Sequence, residues 1–160
     1  MSRIAPCLWF RGNAEEAARF YVSLFQNASI SGISHYGENM PMPAGTPMLI
    51  EFTLDGRRFQ ALNGDVDFPF TEAISMSANC ADQAEVDRLW EALTADGGKP
   101  IQCGWLKDRF GLCWQIVPEA VIRLQTQGDP AGVQRMMEAL MKMIKLDVAA
   151  LEAAYAGEGR

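Results

Sequence analysis

The sequence repeats itself. Residues 13–24 align without a gap on residues 82–93, so that Asn13 matches Asp82, Glu16 matches Glu85, Arg19 matches Arg88, Tyr21 matches Trp90 and Leu24 matches Leu93. An internal copy of this length constrains the fold more than composition does, because it requires two like units arranged alike. Asn13 and Asp82 are residue types that cap helix N-termini, and Glu16 and Glu85 stand three places later, as in a capping box. The apolar residues recur at helical spacing, so each segment predicts an amphipathic helix. Phe20, Tyr21 and Leu24 in one copy, and Leu89, Trp90 and Leu93 in the other, should face a sheet, with Arg19 and Arg88 in solvent or paired locally.

A strand-like run precedes each helix, at residues 4–10 and 73–79, and the second alternates apolar with small polar residues as a strand with one covered face does. Further strands follow at residues 27–36 and 99–105. Asp55-Gly56 marks a tight hairpin between runs 48–53 and 58–62, with Lys107 to Gly111 as a looser counterpart. Residues 56–62 resemble 111–117: each has a turn glycine, then an aromatic-Gln pair, Phe59-Gln60 and Trp114-Gln115. The expected fold is therefore α+β: two βαβββ modules, residues 1–64 and 72–118, forming curved mixed or antiparallel sheets within a single domain, followed by a helical tail over 119–160. In the tail, Pro130 stands near the start of a helix through Ile144 with Val133, Met136, Met137, Leu140, Met141 and Ile144 on one stripe, and Asp147 caps a last helix through Ala156.

Composition narrows the function classes. With 160 residues the chain can bury about 70% of its unfolded surface and needs no disulfide or metal to close a core. A net charge of −6 and the absence of a basic run disfavour nucleic acid as a partner. No stretch reaches the ~20 apolar residues of a membrane span, and Met1 to Cys7 lack a signal-type apolar region, so a cytoplasmic protein without a membrane partner is expected. Cys7, Cys80, Cys103 and Cys113 form no metal-binding pair, and His35 is the only imidazole. No nucleophile-elbow motif is present for a hydrolytic triad.

Several strings carry a family resemblance: Leu8-Trp9-Phe10, Gly12-Asn13-Ala14-Glu15-Glu16-Ala17, Ala61-Leu62-Asn63-Gly64, Cys103-Gly104-Trp105-Leu106-Lys107-Asp108 and Trp114-Gln115-Ile116-Val117-Pro118. With the paired modules, the chain resembles the vicinal oxygen chelate superfamily of glyoxalases, dioxygenases and bleomycin-resistance proteins. Within it the strings resemble the PhnB-like branch, often labelled 3-demethylubiquinone 3-methyltransferase-like. The resemblance implies a glyoxalase-like fold and a homodimer. In metal-using relatives the ligands come from the first and fourth strands of each module, which here places Pro6, Gln60, Ser75 and Gln115. Proline cannot coordinate and serine is a poor ligand, so no metal and no other cofactor is expected. A methyl donor commonly needs a Gly-rich turn after a buried parallel strand, which Gly12-Asn13 and Gly97-Gly98 do not supply.

If the sheets curl into the cup the resemblance implies, Trp9, Phe52, Gln60, Phe70, Cys103, Trp105, Trp114 and Gln115 are the candidate pocket residues. Such a pocket suits a flat or amphipathic small molecule held by stacking and a few hydrogen bonds. No catalytic residue is assigned. The expected function is small-molecule binding, with a metal-independent isomerase or lyase using Cys103, Asp108 or Glu72, or the labelled methyltransferase, as alternatives.

Overall fold

The computed structural model describes residues 3–158. The chain divides into two compact units, residues 1–69 and 70–160. The first contains β1 (Cys7–Phe10), α1 (Ala14–Leu24), β2 (Ser29–His35), β3 (Pro47–Leu54) and β4 (Arg57–Asn63). Its sheet runs β1-β4-β3-β2, with β1 parallel to β4 and the other pairs antiparallel. The βαβββ order that the repeat implies is the order observed, and the sheet is mixed.

Residue alternation decides the two faces of this sheet. Leu8, Phe10, Ile50, Phe52, Leu54 and Ala61 are buried together with Ala14, Ala17, Ala18, Tyr21 and Leu24 of α1. The strand residues between them, Cys7, Trp9, Leu49, Glu51, Gln60 and Leu62, point to the far face. Asp55 and Gly56 both have positive φ, 47° and 73°, the geometry of a two-residue type I′ hairpin, so the D-G signal is realised as read. That turn sets Leu54 opposite Arg57 and, by counting back, Glu51 opposite Gln60.

The second unit contains β5 (Met76–Cys80), α2 (Gln83–Thr94), β6 (Lys99–Pro100), β7 (Trp105–Lys107) and β8 (Cys113–Pro118). Its sheet runs β5-β8-β7-β6, again with the first pair parallel. The single run expected over 99–105 is broken, because Cys103 and Gly104 both take positive φ, 62° and 81°, and turn the chain between β6 and β7. Val86, Leu89, Trp90 and Leu93 bury the inner face of α2, as the periodicity predicts.

The helix starts differ from each other. Asp82 caps α2, accepting from Glu85 N at 2.9 Å while Glu85 accepts from Ala81 N at 2.8 Å. Asn13 makes no side-chain cap. Asn63, at the end of β4, does this work instead: its Oδ1 accepts from Gly12 N and Ala14 N, both at 2.9 Å.

The tail has three helices, α3 (Glu119–Gln127), α4 (Pro130–Leu140) and α5 (Val148–Ala156), the first of which the sequence reading did not separate. Asp129 and Asp147 cap the second and third through Gly132 N and Ala150 N. Val121, Met136, Leu140, Leu146 and Leu151 form the tail's core. The expected stripe is shorter than read, because α4 ends at Leu140; Met141 and Ile144 are exposed and Leu146 completes the core. The tail is fastened to the second module by backbone bonds from Cys103 N to Met143 O and Gly104 N to Ile144 O. Gln83 at the start of α2 adds bonds to Leu146 O and from Val148 N. Among the described residues no helix is long and apolar enough to cross a membrane.

Candidate functional site

The far face of the first sheet carries two adjacent rows of side chains. Strand register sets Leu49, Leu62 and Trp9 side by side in one row, and Glu51, Gln60 and Cys7 in the next. Arg58, two residues before Gln60 on β4, follows on the same face. Gln60 Nε2 donates to Glu51 Oε1 at 2.7 Å, and Arg58 Nη2 donates to both Glu51 oxygens at 3.3 and 3.2 Å. The Gln60 hydrogen bond first, then the Arg58 charge, hold the Glu51 carboxyl below its ordinary value against the opposing effect of desolvation. Trp9 is fixed at the end of the apolar row: its Nε1 donates to Val66 O at 2.7 Å and its ring meets Phe68 edge-on at 5.2 Å. Gly64 lies against the same ring, where an added Cβ would come within 1.9 Å of the indole.

The second sheet carries a corresponding row, Trp105, Gln115 and Ser77. Gln115 Nε2 donates to Ser75 Oγ at 2.9 Å. Lys107, on the same face beside Cys113, pairs with Glu72 at 2.5 Å, and each member stabilises the charged form of the other.

The eight expected pocket residues therefore separate. Trp9 and Gln60 share the far face of the first sheet, and Trp105 and Gln115 share that of the second. Phe52 and Trp114 do not belong with them, because neighbours along a strand point to opposite sides. Phe52 is only 1% exposed and stacks on Phe59 with the α1-side core, and Trp114 is buried beside Asp108. Phe70 is half-buried in the segment leading to β5 and lies in neither sheet. Cys103 packs against the tail core, its Sγ 3.8 Å from Met141 O. Glu51, Arg58, Leu49 and Leu62 were missed by motif reading, although counting back from the Asp55-Gly56 turn places Glu51 beside Gln60.

The residues named for the enzymatic alternative do not form a constellation. Asp108 is buried, and its Oδ1 accepts from Phe110 N and Leu112 N while Oδ2 accepts from Trp114 Nε1. A carboxylate holding three donors is a loop anchor. Glu72 is held by Lys107, and Cys103 faces the tail.

A divalent metal does not fit the positions that the superfamily resemblance implies. Pro6 has only a backbone carbonyl, which accepts from Gln60 N at 2.9 Å, and the Ser75 hydroxyl is bonded to Gln115. Glu51, the one carboxylate beside these positions in the first sheet, is already neutralised by Arg58. Among the described residues no group of three His, Cys, Asp or Glu side chains could hold a metal ion. The two strand-to-helix turns, where a methyl donor's carboxylate or ribose would meet helix amides, are filled by the chain's own side chains. Asn63 occupies the first, and Asp82 with Glu85 the second.

The fold agrees with what comparison with other proteins finds. The model of the family described as 3-demethylubiquinone-9 3-methyltransferase matches residues 2–117, and the chain belongs to that family. The PhnB protein from Bacillus cereus is 36% identical, with 73% of this chain and 99% of that chain covered and a TM-score of 0.68. Protein PA1353 from Pseudomonas aeruginosa shares the fold at 24% identity, covering 74% of this chain and 98% of its own, with a TM-score of 0.60. No curated protein matches the sequence. The family match ends at residue 117, so helices α3 to α5 lie beyond it.

Proposed function

We propose that the protein binds a flat small organic molecule on the far face of its first sheet, without a catalytic metal. The observation that carries this reading is the pairing of two rows on one half-buried face: an apolar row ending in Trp9, and beside it a polar row in which Glu51 is held by Gln60 and by Arg58 from the position beyond. An apolar lining with a few oriented polar groups is the usual composition of a ligand site. The side chains at the metal positions of the resemblance favour hydrogen bonding over coordination. A homodimer and a cytoplasmic location are part of the same reading, and light scattering on the purified protein measures the first. A fragment screen on the full-length protein by two-dimensional NMR tests the binding. Saturable shifts clustered at Trp9, Glu51, Gln60 and Leu62, unchanged by chelator, are expected; shifts that need added metal would contradict it. Methyl transfer, the activity in the family's description, is the rival reading. Titration with S-adenosylmethionine decides it, since a saturable response at either strand-to-helix turn would revive it.

A further inference from the structure

We infer that the Glu51–Gln60–Arg58 cluster selects the ligand's polar edge: a neutral group with an N–H donor next to a carbonyl oxygen, as in an amide or lactam. This rests on the reading that the far face of the first sheet binds an organic molecule. Glu51 is half-buried and its carboxylate can only accept, so both bonds to it must come from donors. That fixes the orientation of the Gln60 amide, with Nε2 on Glu51 and the carbonyl Oε1 turned away from it. A side-chain amide bonded to a hydroxyl, as Gln115 is to Ser75, has no such constraint. The same carboxylate takes Arg58 through Nη2 alone, which leaves Nη1 and Nε outside the pairing. Gln60 and Arg58 stand two apart on β4, on the same side and roughly 7 Å apart at Cα. The cluster thus presents one oriented acceptor beside a donor edge, next to the row of Leu49, Leu62 and Trp9.

Charge arguments exclude the simpler partners. A ligand carboxylate would meet an arginine already neutralised by Glu51 and would be repelled by Glu51 itself. An ammonium group would gain the Gln60 carbonyl, but the Glu51–Arg58 pair is net neutral and offers it no net counter-charge to offset its desolvation. A neutral donor–acceptor edge uses both groups at once and brings no charge out of water, while its flat apolar body lies along the neighbouring row. Glu51 acts here as a positioning residue, through Gln60.

The probes are 2-quinolinone, its N-methyl derivative and quinoline-2-carboxylate, titrated by calorimetry or NMR into the full-length protein and its variants. 2-Quinolinone should bind at least tenfold more tightly than the N-methyl compound, and more tightly than the carboxylate. That ratio should fall to about one in Gln60→Leu and drop severalfold in Glu51→Gln, a selectivity change that a purely structural role would not produce. Equal binding of the matched pair by the unaltered protein, tighter binding of the carboxylate, or a ratio unchanged in Gln60→Leu would overturn the assignment. If none of the probes binds while the fragment screen still finds ligands on this face, the donor–acceptor assignment fails and the binding reading stands. If the screen also finds nothing there, both fail.

Discussion

Trp114 donates its indole N–H to Asp108 at 2.9 Å, and both side chains are buried, Asp108 to 3% exposure. The same carboxylate collects the amides of Phe110 and Leu112, so the β7–β8 loop is wound around it. Asp108→Ala removes the carboxylate that three donors share, two of them in buried hydrogen bonds, and should cost about 2–4 kcal/mol. The urea midpoint should fall with little change in slope. Asp108→Asn, which retains one acceptor oxygen, should lose less. A variant as stable as the parent would remove Asp108 from its structural role and reopen it as a catalytic candidate.

Asn63 and Asn13 make an informative pair. Asn63 caps α1 from across the sheet, and its Nδ2 also donates to Pro47 O at 2.8 Å, whereas Asn13 makes no side-chain cap. Asn63→Ala should destabilise by about 2–3 kcal/mol and Asn13→Ala by no more than about 0.5 kcal/mol. Denaturant titration of the two variants checks this order, and equal losses would show that the helix is capped locally.

The sign of a pH effect follows from Glu51. Its folded-state carboxyl is held below the ordinary value by Gln60 and Arg58. A depressed carboxylate contributes stability above its unfolded value, about 4.3, and that contribution is lost as pH falls through the lower folded value. The Tm difference between the parent and Glu51→Gln should therefore be steady from neutral pH to about pH 5 and shrink below about pH 4. The effect should be small, because the pair is about a third exposed. A difference that grows on acidification would contradict the arrangement.

Three of the four thiols, Cys7, Cys80 and Cys113, should divide by burial. Cys80 is fully buried and burial pushes its thiol up to about 12, and Cys113 is likewise buried and raised. Cys7 lies exposed on the far face of the first sheet. Alkylation at neutral pH, read by peptide mass, should label Cys7 first and spare Cys80 and Cys113 until the protein unfolds. Rapid labelling of Cys80 in the native state would show that the end of β5 is not buried.

What the sequence disclosed depended on how local each determinant is. The repeat announced both helices and the order of elements along each module, and Asp55-Gly56 gave its hairpin, because these rest on neighbours within a few residues. The break at Cys103-Gly104 was hidden, since a non-glycine residue at positive φ is held there by backbone bonds to Met143 and Ile144 in the tail. The capping role of Asn63 was hidden for the same reason: its partners lie about 50 residues away in the chain. The site was half legible. Gln60 and Gln115 came from comparing the two copies, but Phe52 and Trp114 could not share a face with them, and alternation alone settles that. Glu51 was legible in principle by counting from a two-residue turn, and reads otherwise as one more solvent-facing charge. Much of the family-like wording in the sequence proves to be structural. Asn63 caps a helix, Gly64 makes room for Trp9, Gly104 packs against Leu146, and Asp108 anchors a loop.

The most direct test of metal-free ligand binding is native mass spectrometry of the protein purified from its own host, before and after treatment with EDTA. The expected result is an adduct of a small organic molecule, retained through chelation and lost or weakened in Gln60→Leu. A stoichiometric divalent metal, or an organic adduct released when the metal is removed, would contradict it.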